Sequence, residues 1–312
     1  MRVVVTEFMD ETALRAFGPG VEVHYGPGLV DDRPALLDAV RDADAVIVRN
    51  RTRVDAEVIA AATALRAVGR LGVGLDNIDL DACAARGVAV LPATGANTLS
   101  VAEYVIGTML CLVRGAYASN AAMIAGDWPR GRLGEGGEIA GRTLGLLGFG
   151  GIARAVAGKA RALGMAVAAH DPALPDDDPA WTDVRRSSLA ELLEVADVLS
   201  LHVPLTDGTR GLIDARALAG MKPGAILINT ARGGIVDEAA LVAALKSGAL
   251  GGAALDVFAT EPLTAESGAQ FEDCPNLILT PHIAGVTDEG NRRVSEVTVE
   301  NVRRTLMEAA HG

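Results

Sequence analysis

The chain is 312 residues long and half hydrophobic, and domains usually hold roughly 100–200 residues, so two cores are expected rather than one. A formal net charge of −12 argues against a nucleic-acid binder or a protein of anionic membrane surfaces, both of which need a basic face to meet phosphate. The three cysteines, Cys83, Cys111 and Cys274, are odd in number, far apart and without C-x-x-C spacing, which suggests neither a disulfide framework nor a zinc site and fits a reducing cytoplasm.

At the N-terminus, MRVVVTEFMDE meets acid too soon for a signal peptide. The first third carries five short β-branched runs, RVVVTE, VEVHY, AVIVRN, RAVGRL and VAVLP, separated by helical stretches. Such alternation predicts βα units and a parallel sheet. A long apolar helix follows, opened by Ser100-x-x-Glu103 as a capping box and running to about Arg114, in the place of a hinge between domains. Its apolar stretch, Tyr104 to Val113, is about half the length a membrane-spanning helix requires. After the polar passage GDWPRGRLGEGGEIAGRT the alternation resumes with TLGLLG, MAVAAHD, DVLSLHV, AILINT, GAALDV and NLILT. Six strands suit a doubly wound nucleotide domain. The tail from Thr287 to Ala310 reads as one helical stretch without a strand before it, expected to pack on the first domain.

Gly148-x-Gly150-x-x-Ala153 directly follows a strand and opens a helix, and Asp171 ends the next strand 23 residues after Gly148. This is the dinucleotide-binding arrangement. Gly148 permits the tight turn, Gly150 lets the backbone approach a pyrophosphate, and Ala153 keeps helix and strand close. The phosphates then meet N–H groups at the helix N-terminus, near Gly151 and Ile152. Asp171 would accept hydrogen bonds from a ribose diol and repel a 2′-phosphate, and PALPDDD after it adds acid but no arginine. NAD is therefore favoured over NADP. The plain alternative for Asp171 is a solvated strand-end carboxylate.

Three polar residues then stand at or soon after the ends of apolar runs: Arg232 after AILINTA, Glu261 shortly after GAALDVF, and His282 after NLILTP. Open α/β sheets bind ligands beyond the carboxyl ends of their strands, so the three could converge on one crevice. Hydride transfer between a 2-hydroxy acid and NAD needs such parts. A histidine can take the hydroxyl proton, a buried carboxylate such as Glu261 can fix its tautomer, and a guanidinium can hold the substrate carboxylate. Each residue alone also has an ordinary reading, as a satisfied side chain, a turn residue, or an arginine on helix-end carbonyls.

Taken together, VRNRT (48–52), VGRLGVGLDNIDLDA (68–82), NTLSVAE (97–103), GFGGIAR (148–154), HVPLT (202–206), INTARGGIVDEAAL (228–241), ALDVFATEPL (254–263) and TPHIAG (280–285) resemble the D-2-hydroxyacid dehydrogenase family over nearly the whole chain. The resemblance is to its 3-phosphoglycerate dehydrogenase-like members in short form and, more loosely, to bacterial sulfolactate dehydrogenases. It implies that Arg232, Glu261 and His282 are catalytic, that Asp256 contacts the nicotinamide side of NAD, and that Val203, Thr230 and Ala231 line the cofactor crevice. Backbone N–H groups around Val73 and Gly74 would grip the substrate carboxylate. Arg232 has no acidic residue within four positions of it, and the resemblance implies that its partner is the substrate.

The family fold implies two Rossmann-like, doubly wound parallel-sheet α/β domains. The discontinuous catalytic one is flavodoxin-like and spans 1–97 and 283–312, and the NAD-binding one spans 98–282. The resemblance also implies a cytoplasmic homodimer joined through the NAD domain and the Trp128-containing passage. Two departures are visible. PATGAN replaces an N-x-P-type sequence before the hinge helix, and no small regulatory domain follows residue 312, so feedback control by an amino acid is not expected.

Arg49 and Arg51 lie in the loop after the third strand, which in this family faces the substrate, and Arg130 and Arg132 lie in the crossover passage. An arginine cluster suits an anionic tail, which points to a three-carbon 2-hydroxy acid such as 3-phosphoglycerate or 3-sulfolactate. Surface arginine in a chain that prefers it to lysine is the competing reading. Other functions left open are a glyoxylate or hydroxypyruvate reductase, a formate dehydrogenase, and an NAD-sensing corepressor using the same fold to bind.

Overall fold

The computed structural model describes residues 1–308. The chain forms two compact units, one of Met1–Asn97 with the chain from Val286 onward, the other Thr98–Gly285. The return to the first unit comes at Val286 and not at 283, because Asp256 of the second unit binds the N–H groups of Ile283 and Ala284.

In the first unit, β1 (Arg2–Val5), β2 (Glu22–Tyr25), β3 (Ala45–Val48), β4 (Ala67–Arg70) and β5 (Ala89–Pro92) form one sheet. All pairs are parallel and the order is β2-β1-β3-β4-β5, the flavodoxin-like arrangement. Both faces are covered, which is why the strands read as unbroken apolar runs. Val3, Val5, Ala45 and Ile47 pack with Val294, Val299, Val302 and Leu306 of the helix Asp288–Glu308. Val4, Val46 and Val48 pack on the other face with Leu36, Val58 and Ile59. The terminal helix lies so close to β4 that a Cβ on Gly69 would stand 2.7 Å from Val302 Cγ2. Residues 309 and 310, at the end of the expected helical tail, lie outside the described residues.

The second unit holds β6 (Thr143–Leu147), β7 (Ala166–His170), β8 (Arg185–Arg186), β9 (Val198–Leu201), β10 (Ala225–Asn229), β11 (Leu250–Leu255) and β12 (Leu277–Leu279). The order is β12-β11-β10-β9-β6-β7-β8, again parallel throughout. From β6 the chain steps outward to β7 and β8, then crosses back to β9. The reversal between β6 and β9 is where such sheets bind ligands. The six expected strands are present, and β8 is an addition: two exposed arginines paired with Ala168 and Ala169, without an apolar run to announce them.

One expected cap is corrected. The long helix spans Thr98–Arg114, so Ser100 sits inside its first turn, 6% exposed, and cannot be the N-cap. Glu103 instead pairs with Lys159 at 3.1 Å, tying this helix to the helix Gly151–Ala162. Both pack over one face of the sheet, with Val105, Met109, Ala153 and Ala157 in the shared core. Among the described residues no helix is long and apolar enough to cross a membrane.

Candidate active site

The glycine turn is built by contact as much as by sequence. Gly148 has φ +87°, and a Cβ there would lie 2.7 Å from the carbonyl oxygen of His202, so both backbone conformation and close approach require glycine. Gly150 precedes the helix Gly151–Ala162 without a side-chain cap, leaving its first N–H groups for a ligand. A Cβ on Gly150 or Gly151 would meet nothing within 4 Å, so the backbone is open to close approach there, while Ala153 is fully buried against the strand layer.

Phe149 stacks on Trp181 with ring centroids 5.2 Å apart, and its N–H donates to Asp171 Oδ2 at 2.8 Å. Asp171 Oδ1 accepts from the Ala173 N–H at 3.0 Å. The carboxylate is thus bound to the glycine turn rather than merely solvated, and it keeps acceptor capacity for a diol. Beyond β10, the hydroxyl of Thr230 is buried without a hydrogen-bond partner in the structure, a donor and acceptor waiting for a polar ligand. Val203 and Ala231 are partly buried at the margin of the neighbouring core. This combination of an open glycine turn, a placed carboxylate and an unsatisfied hydroxyl fits a dinucleotide.

Arg232 follows β10 in a turn closed by Asn229. The Asn229 amide donates to the Arg232 carbonyl at 2.9 Å and its Oδ1 accepts from the Ala231 N–H at 3.0 Å. Arg232 Nη1 donates to the Ala231 carbonyl at 2.6 Å. Next to it, Gly233 packs against the Phe258 backbone so tightly that a Cβ would strike the carbonyl, which joins the arginine turn to the loop carrying Glu261.

Glu261 accepts from the Phe258 N–H at 2.9 Å and from His282 Nδ1 at 2.8 Å. With the Nδ1 proton directed at the carboxylate, Nε2 carries the lone pair available to a substrate hydroxyl. Glu261 was expected to be buried, but its side chain is 33% exposed because it rises from a surface loop rather than from a strand. Partial burial would raise its pKa. The hydrogen bonds from His282 and Phe258, with the charges of His282 and Arg232, outweigh that and hold the carboxyl below the usual range. Of the other histidines of this unit, His202 is kept neutral by burial, with a pKa lowered to about 4, and His170 faces the Ser187 carbonyl. His282 is the one set against a carboxylate.

Two further carboxylates brace this pair. Glu238, first residue of the helix Glu238–Lys246, accepts from the Ala259 N–H at 2.6 Å and from the Gln270 amide at 3.0 Å, steadying the Glu261 loop. Asp256 is 1% exposed and accepts from Thr280 Oγ1, Ile283 N–H and Ala284 N–H at 2.6–2.8 Å. Its carbonyl accepts from the His282 N–H at 2.8 Å, and this holds His282 at φ +56°. Thr280 gives its only proton to Asp256, so Tyr104, 2.6 Å away, must donate to Thr280. Asp256, expected at the nicotinamide, therefore chiefly shapes the histidine loop, with about one lone-pair position left over. The sequence marked neither bracing role, since the donors, backbone N–H groups with one side chain each, are distant along the chain.

In the first unit the two loop arginines separate. Arg51 is exposed and ion-paired with Asp31, which favours the surface reading for it. Arg49 is half-buried, and among the described residues its guanidinium donates to neutral acceptors, Asn291 Oδ1 at 2.7 Å and the Phe8 carbonyl at 3.3 Å. Burial lowers its pKa, opposed by the nearby charge of Glu7. Val73 and Gly74 follow Gly72 in a turn, and among the described residues neither of their N–H groups has an acceptor.

The sequence profile described as D-isomer specific 2-hydroxyacid dehydrogenase, NAD binding domain, matches residues 106–284. The chain is 59% identical over 305 residues to an (S)-sulfolactate dehydrogenase of Chromohalobacter salexigens, covering 97% of this chain and 98% of that protein. It is 42% identical over 304 residues to a D-3-phosphoglycerate dehydrogenase of Mycobacterium leprae, covering 97% of this chain but 56% of that protein. Among solved structures, the TT0316 protein of Thermus thermophilus superposes with a TM-score of 0.89 at 39% identity, over 99% of this chain and 97% of the other. The chain is an NAD-linked oxidoreductase acting on the CH–OH group of a small hydroxy acid, and it belongs to the D-isomer-specific 2-hydroxyacid dehydrogenase family.

Proposed function

We propose that the substrate is a three-carbon D-2-hydroxy acid with a second anionic group, 3-sulfolactate first and 3-phosphoglycerate second. The observation that carries this is the Arg49 guanidinium, a half-buried cation that among the described residues is hydrogen-bonded to neutral acceptors and forms no ion pair, which leaves its charge for an anion. The similarity to an (S)-sulfolactate dehydrogenase supports it. The stereodescriptors agree as well. The sulfomethyl group outranks the carboxyl group, so (S)-3-sulfolactate has the spatial arrangement of D-lactate.

In this reading NAD is held by Gly148, Gly150, Gly151, Ile152, Asp171 and Thr230, with Val203 and Ala231 beside it, and when bound it supplies the hydride acceptor. His282 Nε2 takes the proton of the C2 hydroxyl. Glu261 stabilises the imidazolium and fixes its tautomer. Arg232 holds the carboxylate and, in the reverse direction, polarises the C2 carbonyl. In the first unit, Val73 and Gly74 offer N–H donors to a substrate carboxylate.

We place the enzyme in the cytoplasm as a homodimer. Tyr117, Ile124 and Trp128 on the crossover passage are 68%, 87% and 75% exposed, a run of apolar side chains suited to a second copy.

Three substitutions test the assignments. Arg49→Ala is expected to raise the KM of (S)-3-sulfolactate about tenfold or more while the KM of D-lactate changes little, and Arg51→Ala to move neither by more than about twofold. Equal effects of Arg49→Ala on both acids would refute tail recognition. For the cofactor, Asp171→Ala is expected to raise the KM of NAD about tenfold and to increase the NADP-to-NAD ratio of kcat/KM, both from initial rates. An unchanged ratio would mean that Asp171 does not discriminate.

A further inference from the structure

The catalytic reading makes no use of Glu7, yet it is one of the few buried carboxylates of the first unit, 5% exposed in the loop after β1. Among the described residues no lysine or arginine forms an ion pair with it. Its partners are backbone donors of a single loop: Oε1 accepts from the N–H groups of Arg49 at 2.8 Å and Thr52 at 2.9 Å, and Oε2 from Arg51 at 3.1 Å. The turn Arg49–Thr52 is therefore wrapped around an anion, in the way a backbone nest holds a bound one.

The rest of the loop is fixed from the same side. Thr6 Oγ1 and Thr52 Oγ1 are 2.9 Å apart, and Asn77 Nδ2 donates to the Thr52 carbonyl at 2.6 Å. Phe8, the residue after Glu7, supplies the carbonyl that accepts from Arg49 Nη1. Glu7 thus sets the backbone from which Arg49 projects, and its charge eases the burial of the guanidinium without bonding to it.

We propose that Glu7 is a positioning residue for substrate specificity: by binding three N–H groups of the Arg49–Thr52 turn it holds Arg49 ready for the anionic tail. The proposal rests on the reading of Arg49 given above. A direct contact between Glu7 and a dianionic substrate would be repulsive, so its action passes through the arginine.

The test is a double-mutant cycle on the full-length protein, with Glu7→Gln, Arg49→Ala and the double variant assayed on (S)-3-sulfolactate, D-3-phosphoglycerate and D-lactate at saturating NAD. Gln retains one acceptor oxygen but turns its amide toward an N–H that needs an acceptor. Glu7→Gln is expected to reduce the kcat/KM ratio of the preferred dianionic acid to D-lactate about tenfold, and to add less than about twofold once Arg49 is absent. An equal loss on all acids, or effects that multiply in the double variant, would overturn the proposal by making Glu7 merely structural. If Arg49→Ala lowers the ratio and Glu7→Gln does not, Glu7 is wrong and the Arg49 reading stands; the opposite pattern removes the Arg49 reading. Should Glu7→Gln fail to fold, amide hydrogen exchange of residues 49, 51 and 52 in the unaltered protein decides: strong protection is expected, and exchange at the rate of an open loop overturns the proposal.

Discussion

Replacing His282 with Asn is expected to lower kcat for hydroxy-acid oxidation by a factor on the order of 10³, with the KM of NAD within about threefold of its original value. Asparagine can still hydrogen-bond to Glu261 but offers no base of comparable strength to the substrate hydroxyl. The loss should therefore fall on the chemical step. Glu261→Gln should cost less, a factor of about 10² in kcat, because the imidazole remains and only its anionic partner is gone. The carboxyl of Glu261 is held below the ordinary carboxylate range, so its anionic contribution is present above the usual carboxylate pKa and is lost only as acid protonates the folded form. Infrared difference spectra across pH check this: a protonated-carboxyl band that appears near neutrality and is missing in Glu261→Gln would mean that Glu261 titrates there and that the assignment of the pair is wrong.

Arg232→Ala is the second large effect, an expected fall in kcat/KM on the order of 10³ in both reaction directions, since a guanidinium that orients the carboxylate and polarises the carbonyl serves binding and transition state together. Arg232→Lys should recover only part of the loss, because an ammonium replaces the charge but not the planar two-pronged donor. The Asn229 amide and the packing of Gly233 on Phe258 fix the backbone from which the side chain leaves, so neither variant should disturb the turn. NADH binding followed by fluorescence should be retained. A variant that lost cofactor binding in proportion to activity would place Arg232 on the cofactor and not on the acid.

The fold was largely legible because parallel strands covered on both faces are continuous apolar runs, as in AVIV of β3 and AILIN of β10. Strand β8 was not, since two exposed arginines paired at a sheet edge leave no hydrophobic signal. Ser100 looked like a cap because the spacing to Glu103 was right, but the helix already begins at Thr98. Around the glycine turn, motif and structure agree, for Gly148 answers a positive φ and a carbonyl at 2.7 Å that no other residue tolerates. The bracing carboxylates were hidden for a different reason. Glu7, Glu238 and Asp256 each bind N–H groups 21 to 45 positions away, and the donors of a folded backbone leave no local pattern. Arg49 and Arg51 were indistinguishable until Asp31, 20 positions distant, was seen to take one of them.

The most direct test of the account is initial-rate NADH formation with both enantiomers of 3-sulfolactate, 3-phosphoglycerate, glycerate and lactate at equal concentration. The account predicts the highest kcat/KM for (S)-3-sulfolactate, with D-3-phosphoglycerate next and the monoanionic acids well behind. Equal or better turnover of lactate or glycerate would contradict it, leaving the histidine, glutamate and arginine in place but removing the second anionic group from the substrate.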